Sequence, residues 1–429
     1  MAPGDTNYYT CLSGNGFAND VTHWSLGTLP DGDDIVFGSN AQGMYWNINA
    51  TVNSFTVESN YSGSAPMHVL TTWPGNVLNI GTGGMTLKKK AYVNYYPLDS
   101  SGDYTMWIAG PTYISEDAKL NFHGVVGEPI FYFGDSVFIN STLGKEDFSA
   151  NNMRFFFNST YIQNGGSLAI SQCVYSIFRN DVTISNSTVS IDQFNSFGNV
   201  TFRDSNLHLL VADWAEHHDF RNNFAMVFDG VGGLNLTNCT LITDDSYILM
   251  NGTETLHWDS PQPIQRLTIN NASHTIINSN VWINFLDVRG CLDTNGYYVN
   301  ATRFDSSNGS FDAGDTTIIM NGTGTLKTDG TLAGGLNNLT IGSSSVITLL
   351  SDVYTGNFTN LGGILNANGF HLFLKDGTLL FGDPVPVPTP VGPWGTIGML
   401  LSVIVIACLI LFIFKRRRKK TANPPSAQP

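Results

Sequence analysis

The densest set of metal-ligand and acid–base groups in this chain is His208, Asp213, Glu216, His217, His218 and Asp219. Neutral imidazole and ionised carboxylate are the usual ligands of zinc and its neighbours, so the residue types suit a divalent cation. The spacing does not fit a helical motif such as HExxH, and the run reads more simply as a solvated loop. His208, Asp213, His217, His218 and Asp219 remain the candidate metal ligands on those terms. Asp244-Asp245 is a second candidate, because paired carboxylates can divide acid and base roles in glycoside hydrolysis. It stands alone, with no Gly-His-Gly and no Arg-x-Lys following at a useful distance. There is no nucleophile elbow, phosphate loop or dinucleotide fingerprint, and no EF-hand or glycine-rich calcium nonapeptide. No catalytic residue and no cofactor is expected, and calcium has no motif behind it.

Other residues point to an exported surface. Asn-x-Ser/Thr sequons occur at Asn49, Asn60, Asn140, Asn158, Asn186, Asn199, Asn235, Asn238, Asn251, Asn271, Asn300, Asn308, Asn321, Asn338 and Asn357. An Asn-, Ser- and Thr-rich chain makes about half this number by chance, so several glycosylated sites are expected among many turn-forming asparagines. Of the five cysteines, Cys408 lies in an apolar run. Cys11, Cys173, Cys239 and Cys291 are too widely separated for a zinc ribbon or CxxC centre, and Cys239–Cys291 is the preferred disulfide. Lys88-Lys89-Lys90 precedes Tyr92, Tyr95, Tyr96, Tyr104, Trp107 and Tyr113, the one basic and strongly aromatic patch before the C-terminal region. Such rings can meet a carbohydrate or protein ligand, or pack a loop on its own domain.

These residues must be carried by strands and turns. The chain has 429 residues, 44 of them Gly; 12% are aromatic and only 13% charged, against about 25% in ordinary globular chains. A helical bundle or coiled coil is excluded. Between the first residues and Gly382 short alternating runs recur: Val182-Thr-Ile-Ser, Leu234-Asn-Leu-Thr, Leu267-Thr-Ile-Asn, Val281-Trp-Ile-Asn and Asn338-Leu-Thr-Ile among them. Each is bounded by Asn, Gly, Asp or Ser, which tolerate turns. Spacings near 17 to 25 residues, or twice that, fall in the period range of solenoids, whose units bury their apolar faces only by stacking. The expected fold is all-β, a right-handed parallel β-helix. Because Asn251-Gly252, Asn321-Gly322 and Asp329-Gly330 are hairpin-type dipeptides, a β-sandwich is the alternative.

The C-terminus adds an anchor. Ile397 to Phe414 carries no charge, Trp394 shoulders it, and Lys415, Arg416, Arg417, Arg418, Lys419 and Lys420 follow as a stop-transfer cluster. About 20 apolar residues span a bilayer as a helix, and the basic side stays in the cytoplasm. That orientation calls for an export signal; Met1 to Asp20 has no apolar core, and its removal is the expectation. The alternating prolines of 383–393 form an extended stalk. Six of the 20 basic residues sit in the terminal cluster, leaving 14 against 34 acids upstream, about −20. No nucleic-acid partner is expected of such a surface.

Two resemblances refine this. The run Trp24-Ser25, Gly27, Pro30, Gly32-Asp33-Asp34 and Val36-Phe37, followed by Ala50 to Val57, resembles the opening of secreted, adhesin-like β-solenoid surface proteins. The membrane helix and basic tail without a sortase signal resemble archaeal surface proteins. The resemblance implies an N-terminal cap around 17–37, with Trp24 covering the core. The expected organisation is a solenoid over 1–382 with an aromatic-rich insertion around 88–135. A stalk follows over 383–393, a transmembrane helix over 394–414 and a cytoplasmic tail over 415–429. The expected function is a glycosylated, non-enzymatic surface protein bound to the bilayer, acting in adhesion, envelope structure or host/partner recognition, its partners a carbohydrate or protein surface ligand or a second copy of itself. The alternatives are a viral spike and a tethered polysaccharide hydrolase or lyase.

Overall fold

A computed structural model describes residues 5–10, 15–38, 43–58, 68–72, 74–97, 104–123, 129–145, 154–170, 175–191, 194–209, 226–241, 247–311 and 316–382. Among these the protein is all-β, and the strands stack as a parallel β-solenoid. Met1–Gly382 is one compact unit. The expected stalk, membrane helix and tail lie outside the described residues. Among the described residues no helix is long and apolar enough to cross a membrane.

Alternation builds each rung. In Thr188–Ile191 and Thr253–Asp259 every second side chain turns inward, as the two-residue period of a strand requires. One short rung cannot cover its own apolar face, so each is closed by the next. Leu87, Ile114, Ile139, Ile162, Ile184 and Phe202 pair in succession to make one buried column. A second inner column is aromatic: Phe133, Phe157, Phe178 and Phe194 stack with centroids 5.0, 5.0 and 4.3 Å apart. Each buried ring of this kind contributes about 1.5–3 kcal/mol relative to an exposed one.

Three faces result. One runs through Thr112–Ile114, Val137–Ile139 and Thr160–Ile162, a second through Ile130–Phe133, Arg154–Phe157 and Tyr175–Phe178. Ten strands from Asn15–Phe17 to Thr240–Leu241 form the third. Left-handed corner residues, Asn164, Asn186, Asp204, Asn238 and Asn295 among them, turn the chain between faces.

Every described strand pair is parallel except Leu372–Leu374 with Leu379–Phe381, which rules out the β-sandwich. The hairpin-type dipeptides are corners instead. Asn251-Gly252 joins Tyr247–Met250 to Thr253–Asp259, and these strands pair with neighbouring rungs, not with each other. The aromatic stretch 88–135 does not interrupt the stack, since Tyr92–Pro97, Tyr104–Ile108, Thr112–Ile114 and Lys119–Phe122 pair with strands on both sides. Rungs also begin ahead of the Trp24 segment, because Thr6–Tyr9 pairs with Asp34–Phe37. Trp24 is buried with its ring edge-on to Tyr9, 5.0 Å away, and its indole donates to the Ala18 carbonyl at 2.8 Å.

Candidate functional site

The aromatic patch separates once the register is known. Tyr95 is fully buried, its hydroxyl donating to the Thr105 carbonyl at 2.8 Å and meeting the Thr72 hydroxyl. It cannot belong to a ligand surface, and burial holds its phenol well above the usual range. Tyr92 lies under the Lys119 ammonium at 5.5 Å, and Tyr96 stacks on His123 at 4.2 Å. Tyr104 opens the strand Tyr104–Ile108, but its side chain is not among those described. Trp107 stacks on Tyr132 at 4.0 Å, with Phe156 beyond and the Arg179 guanidinium over both Tyr132 and Phe156. On the neighbouring face Tyr113, Phe138 and Tyr161 form a parallel stack with 4.9 and 5.0 Å spacing. Rings stacked between rungs spend their faces on each other and present edges to solvent. These columns are cross-strand pairs that stabilise the sheet, each worth about 0.2–1 kcal/mol. The lysines beside them are also engaged, Lys88 with Glu58 at 2.7 Å and Lys89 with Glu116 at 2.6 Å.

A different place combines rings, cations and amides. At the bend of consecutive strands a cleft of about 400 Å³ is lined by Tyr247, Gln265, Arg266, Asn284, Phe285, Thr302, Arg303 and Thr323. The parallel register sets its centre line: Tyr247 pairs with Arg266, Arg266 with Phe285, and Phe285 with Arg303. Aromatic and guanidinium side chains therefore alternate along the outside of four successive rungs. Arg266 lies over the Phe285 ring at 5.3 Å, and Asn284 donates to Gln265 at 2.7 Å beside it. Trp282 and Tyr298, carried by the strands that hold Phe285 and Arg303, are about half exposed. None of the described lining residues is a carboxylate. Nothing in the spacing of single residues marks this cleft, because Phe285 and Arg303 become neighbours only through the rung register.

The remaining candidates fall out as follows. The side chain of His208 and all of Asp213, His217, His218 and Asp219 lie outside the described residues, as does Asp244-Asp245. Among the described residues no three His, Cys, Asp or Glu side chains gather as a metal site. Cys239 and Cys291 are free thiols. The pairing expected between them fails on geometry: Cys291 lies three rungs beyond the strand preceding Cys239, through Val231, Thr253 and His274. At ~4.8 Å per rung that is about 14 Å, twice the reach of a disulfide. Cys11 and Cys173 lie outside the described residues.

The sequons divide by what their amides do. Asn321 donates to Asn300 at 3.0 Å, Asn357 to Asn338 at 2.8 Å, and Asn338 to Thr317 at 3.2 Å. Asn251 donates to Asp229 at 2.6 Å and accepts from Asn270 at 2.7 Å, while Asn158, Asn199 and Asn238 donate to Gly134, Asp181 and Asp204. Asn140 accepts from Asn164. Asn49, Asn186, Asn235, Asn271 and Asn308 are exposed, and Asn60 lies outside the described residues.

One buried acid escaped the sequence reading. Glu254 occupies an inward position between Gly232 and Thr275 of the adjoining rungs and is 1% exposed. Among the described residues neither carboxyl oxygen has a hydrogen-bond partner. Burial pushes its pKa up to about 8, helped by the charge of Asp229 and opposed by nearby backbone amides of Asn251, Gly230 and Gly252. The carboxyl is thus neutral near pH 7 and is a structural group, not one of the residues lining the cleft.

Comparison with protein-family models, curated proteins and solved structures finds no match.

Proposed function

We propose that this protein is a surface-displayed, non-enzymatic recognition protein, a right-handed β-solenoid raised on the Pro-rich 383–393 stalk. In this reading Ile397 to Phe414 crosses the membrane and the Lys415–Lys420 cluster stays inside. The observation that carries the recognition role is the cleft whose lining joins Tyr247 and Phe285 with Gln265, Asn284, Arg266 and Arg303 and includes, among the described residues, no carboxylate. Carbohydrate sites pair aromatic surface with fixed polar groups in this way. Glycoside hydrolysis instead needs two carboxylates about 5 to 9.5 Å apart across the substrate.

Adhesion or envelope structure is the role such a protein serves, and the exposed sequons fit an exported chain. The resemblance to adhesin-like and archaeal surface proteins agrees with it. Display is tested by antibody labelling of intact cells. Staining should appear without permeabilisation, and staining seen only after permeabilisation refutes an outside ectodomain. Recognition is tested by binding oligosaccharides to the full-length chain in detergent. A Phe285→Ala change should weaken binding about tenfold or more with the thermal melt retained.

A further inference from the structure

The sequons differ in which amide atom they leave free. An N-glycan is attached at the side-chain nitrogen Nδ2 and leaves Oδ1 able to accept a hydrogen bond. Asn251, Asn321, Asn338 and Asn357 spend Nδ2 on a neighbouring rung. Asn300 does the reverse. Its Oδ1 accepts from Asn321 at 3.0 Å, and among the described residues its Nδ2 has no acceptor. With Ala301 and Thr302 completing the sequon, a sugar on Asn300 breaks no hydrogen bond between rungs.

What lies beside Asn300 points to the same atom. It alternates with inward Val299 and Ala301, so it stands on the outer face, and its register partner on the preceding rung is Trp282. Trp282 stands outward between buried Val281 and Ile283 and is 50% exposed. Among the described residues no ring or cation lies against it and its indole N–H has no acceptor. The other described indoles are engaged: Trp107 stacks on Tyr132, and Trp24, Trp46 and Trp258 donate to backbone carbonyls. None of the other sequons carried on strands has an exposed ring beside it, since Asn235 lies between Thr201 and His257 and Asn338 between Thr317 and Asn357. Because the amide is planar, turning Oδ1 toward the Asn321 rung turns Nδ2 toward the Trp282 rung, ~4.8 Å away. A pyranose has a face of C–H groups, and laying it on the indole takes apolar surface of both out of water.

We infer that Asn300 carries an N-linked glycan whose first sugar packs on Trp282. This rests on the reading of the solenoid as displayed outside, where the modifying transferase acts on exported chains. In the reaction the Asn300 amide nitrogen attacks the anomeric carbon of a polyisoprenyl-phosphate-linked oligosaccharide. The new C–N bond replaces the C–O bond to phosphate, the polyisoprenyl phosphate leaves with that electron pair, and the amide gives up one proton. Oδ1 keeps its bond from Asn321, so the glycan is held on one side by the rung ladder and on the other by the indole.

The full-length chain, directed into the secretory pathway of a glycosylating host and purified in detergent, tests this. Peptide mass mapping should find Asn300 occupied in most molecules. Acrylamide quenching of the Trp282 emission, taken as wild type minus Trp282→Phe, should be at least twofold weaker than in the same chain made without the transferase. Asn300→Gln should abolish that protection, whereas Asn308→Gln, which removes a sequon at another corner, should keep it. An empty Asn300 in a chain occupied at Asn271 and Asn308 overturns the inference, and so does an occupied Asn300 that leaves the quenching unchanged. Neither result touches the display reading. Antibody staining of intact source cells seen only after permeabilisation overturns display and this glycan together. A melt of each variant within a few degrees of wild type separates lost protection from lost fold.

Discussion

Glu254 is the residue at which the chain departs furthest from its own chemistry. An acid placed where Leu256 and Trp258 point inward after it must stay protonated to remain there, and its pKa near 8 says that it does. Linkage fixes the sign. The native state holds the proton between the unfolded carboxyl range near 4.5 and the folded value near 8, so stability declines as pH climbs through that window. Below it the group has no effect; above it the loss is complete. Glu254→Gln keeps the shape without the charge, so it should raise stability by roughly 3 kcal/mol at pH 7 and change little at pH 4, read as denaturant midpoints. An equal effect at both pH values would mean that ionisation is not the cause. This acid was invisible in the sequence because Thr253-Glu254-Thr255 alternates around a polar residue, and only the neighbouring apolar positions could have hinted at its inward turn. Tyr95 was misplaced for the same reason. Its phase within Tyr92–Pro97 decides burial, and aromatic content alone does not reveal phase.

Rungs and corners are the elements, and the asparagines belong to them as much as to any glycan. The Asn300–Asn321 and Asn338–Asn357 pairs and the Asp229–Asn251–Asn270 relay tie successive coils edge to edge. An amide already donating to the next rung is poorly placed to carry a sugar. Expressed in a glycosylating host, the chain should show high occupancy at Asn271 and Asn308 and little at Asn251, Asn321 and Asn338 by peptide mass mapping. The reverse pattern would mean that glycans are added before the coils close. The alternating runs and Asn- and Gly-rich corners were legible from the start, since Val182-Thr-Ile-Ser and Leu234-Asn-Leu-Thr are strands in the structure. Register was not legible. One column passes through Leu87, Ile114, Ile184 and Phe202, yet 27 residues separate the first two and 18 the last two. Corners absorb the difference, so no fixed period aligns the rungs, and the Tyr247–Arg303 column could not be drawn in advance.

For the whole solenoid, stacking makes length a matter of counting coils. Removing residues 281–298 brings Val299 into the place of Val281, its partner in the next rung, and takes one strand from each ladder it crosses. A protein held by nearest-neighbour contacts should tolerate this, melting cooperatively with its β-sheet circular dichroism intact. Removing 281–297 instead puts Tyr298 in that place and turns every following side chain to the wrong face. The shorter deletion should therefore leave the chain unfolded or aggregated while the longer one folds. If both deletions behaved alike, the rungs would not be the cooperative unit.

The one antiparallel strand pair among the described residues, Leu372–Leu374 with Leu379–Phe381, acts on this same scale. Each parallel rung is a template for the next, and a stack of templates has no reason of its own to stop growing. A final strand running backwards occupies the open edge of Leu372–Leu374 and shows any newcomer the opposite polarity. Along that ladder the hairpin is a chain terminator, the device that keeps a fold built on the geometry of a fibre from becoming one.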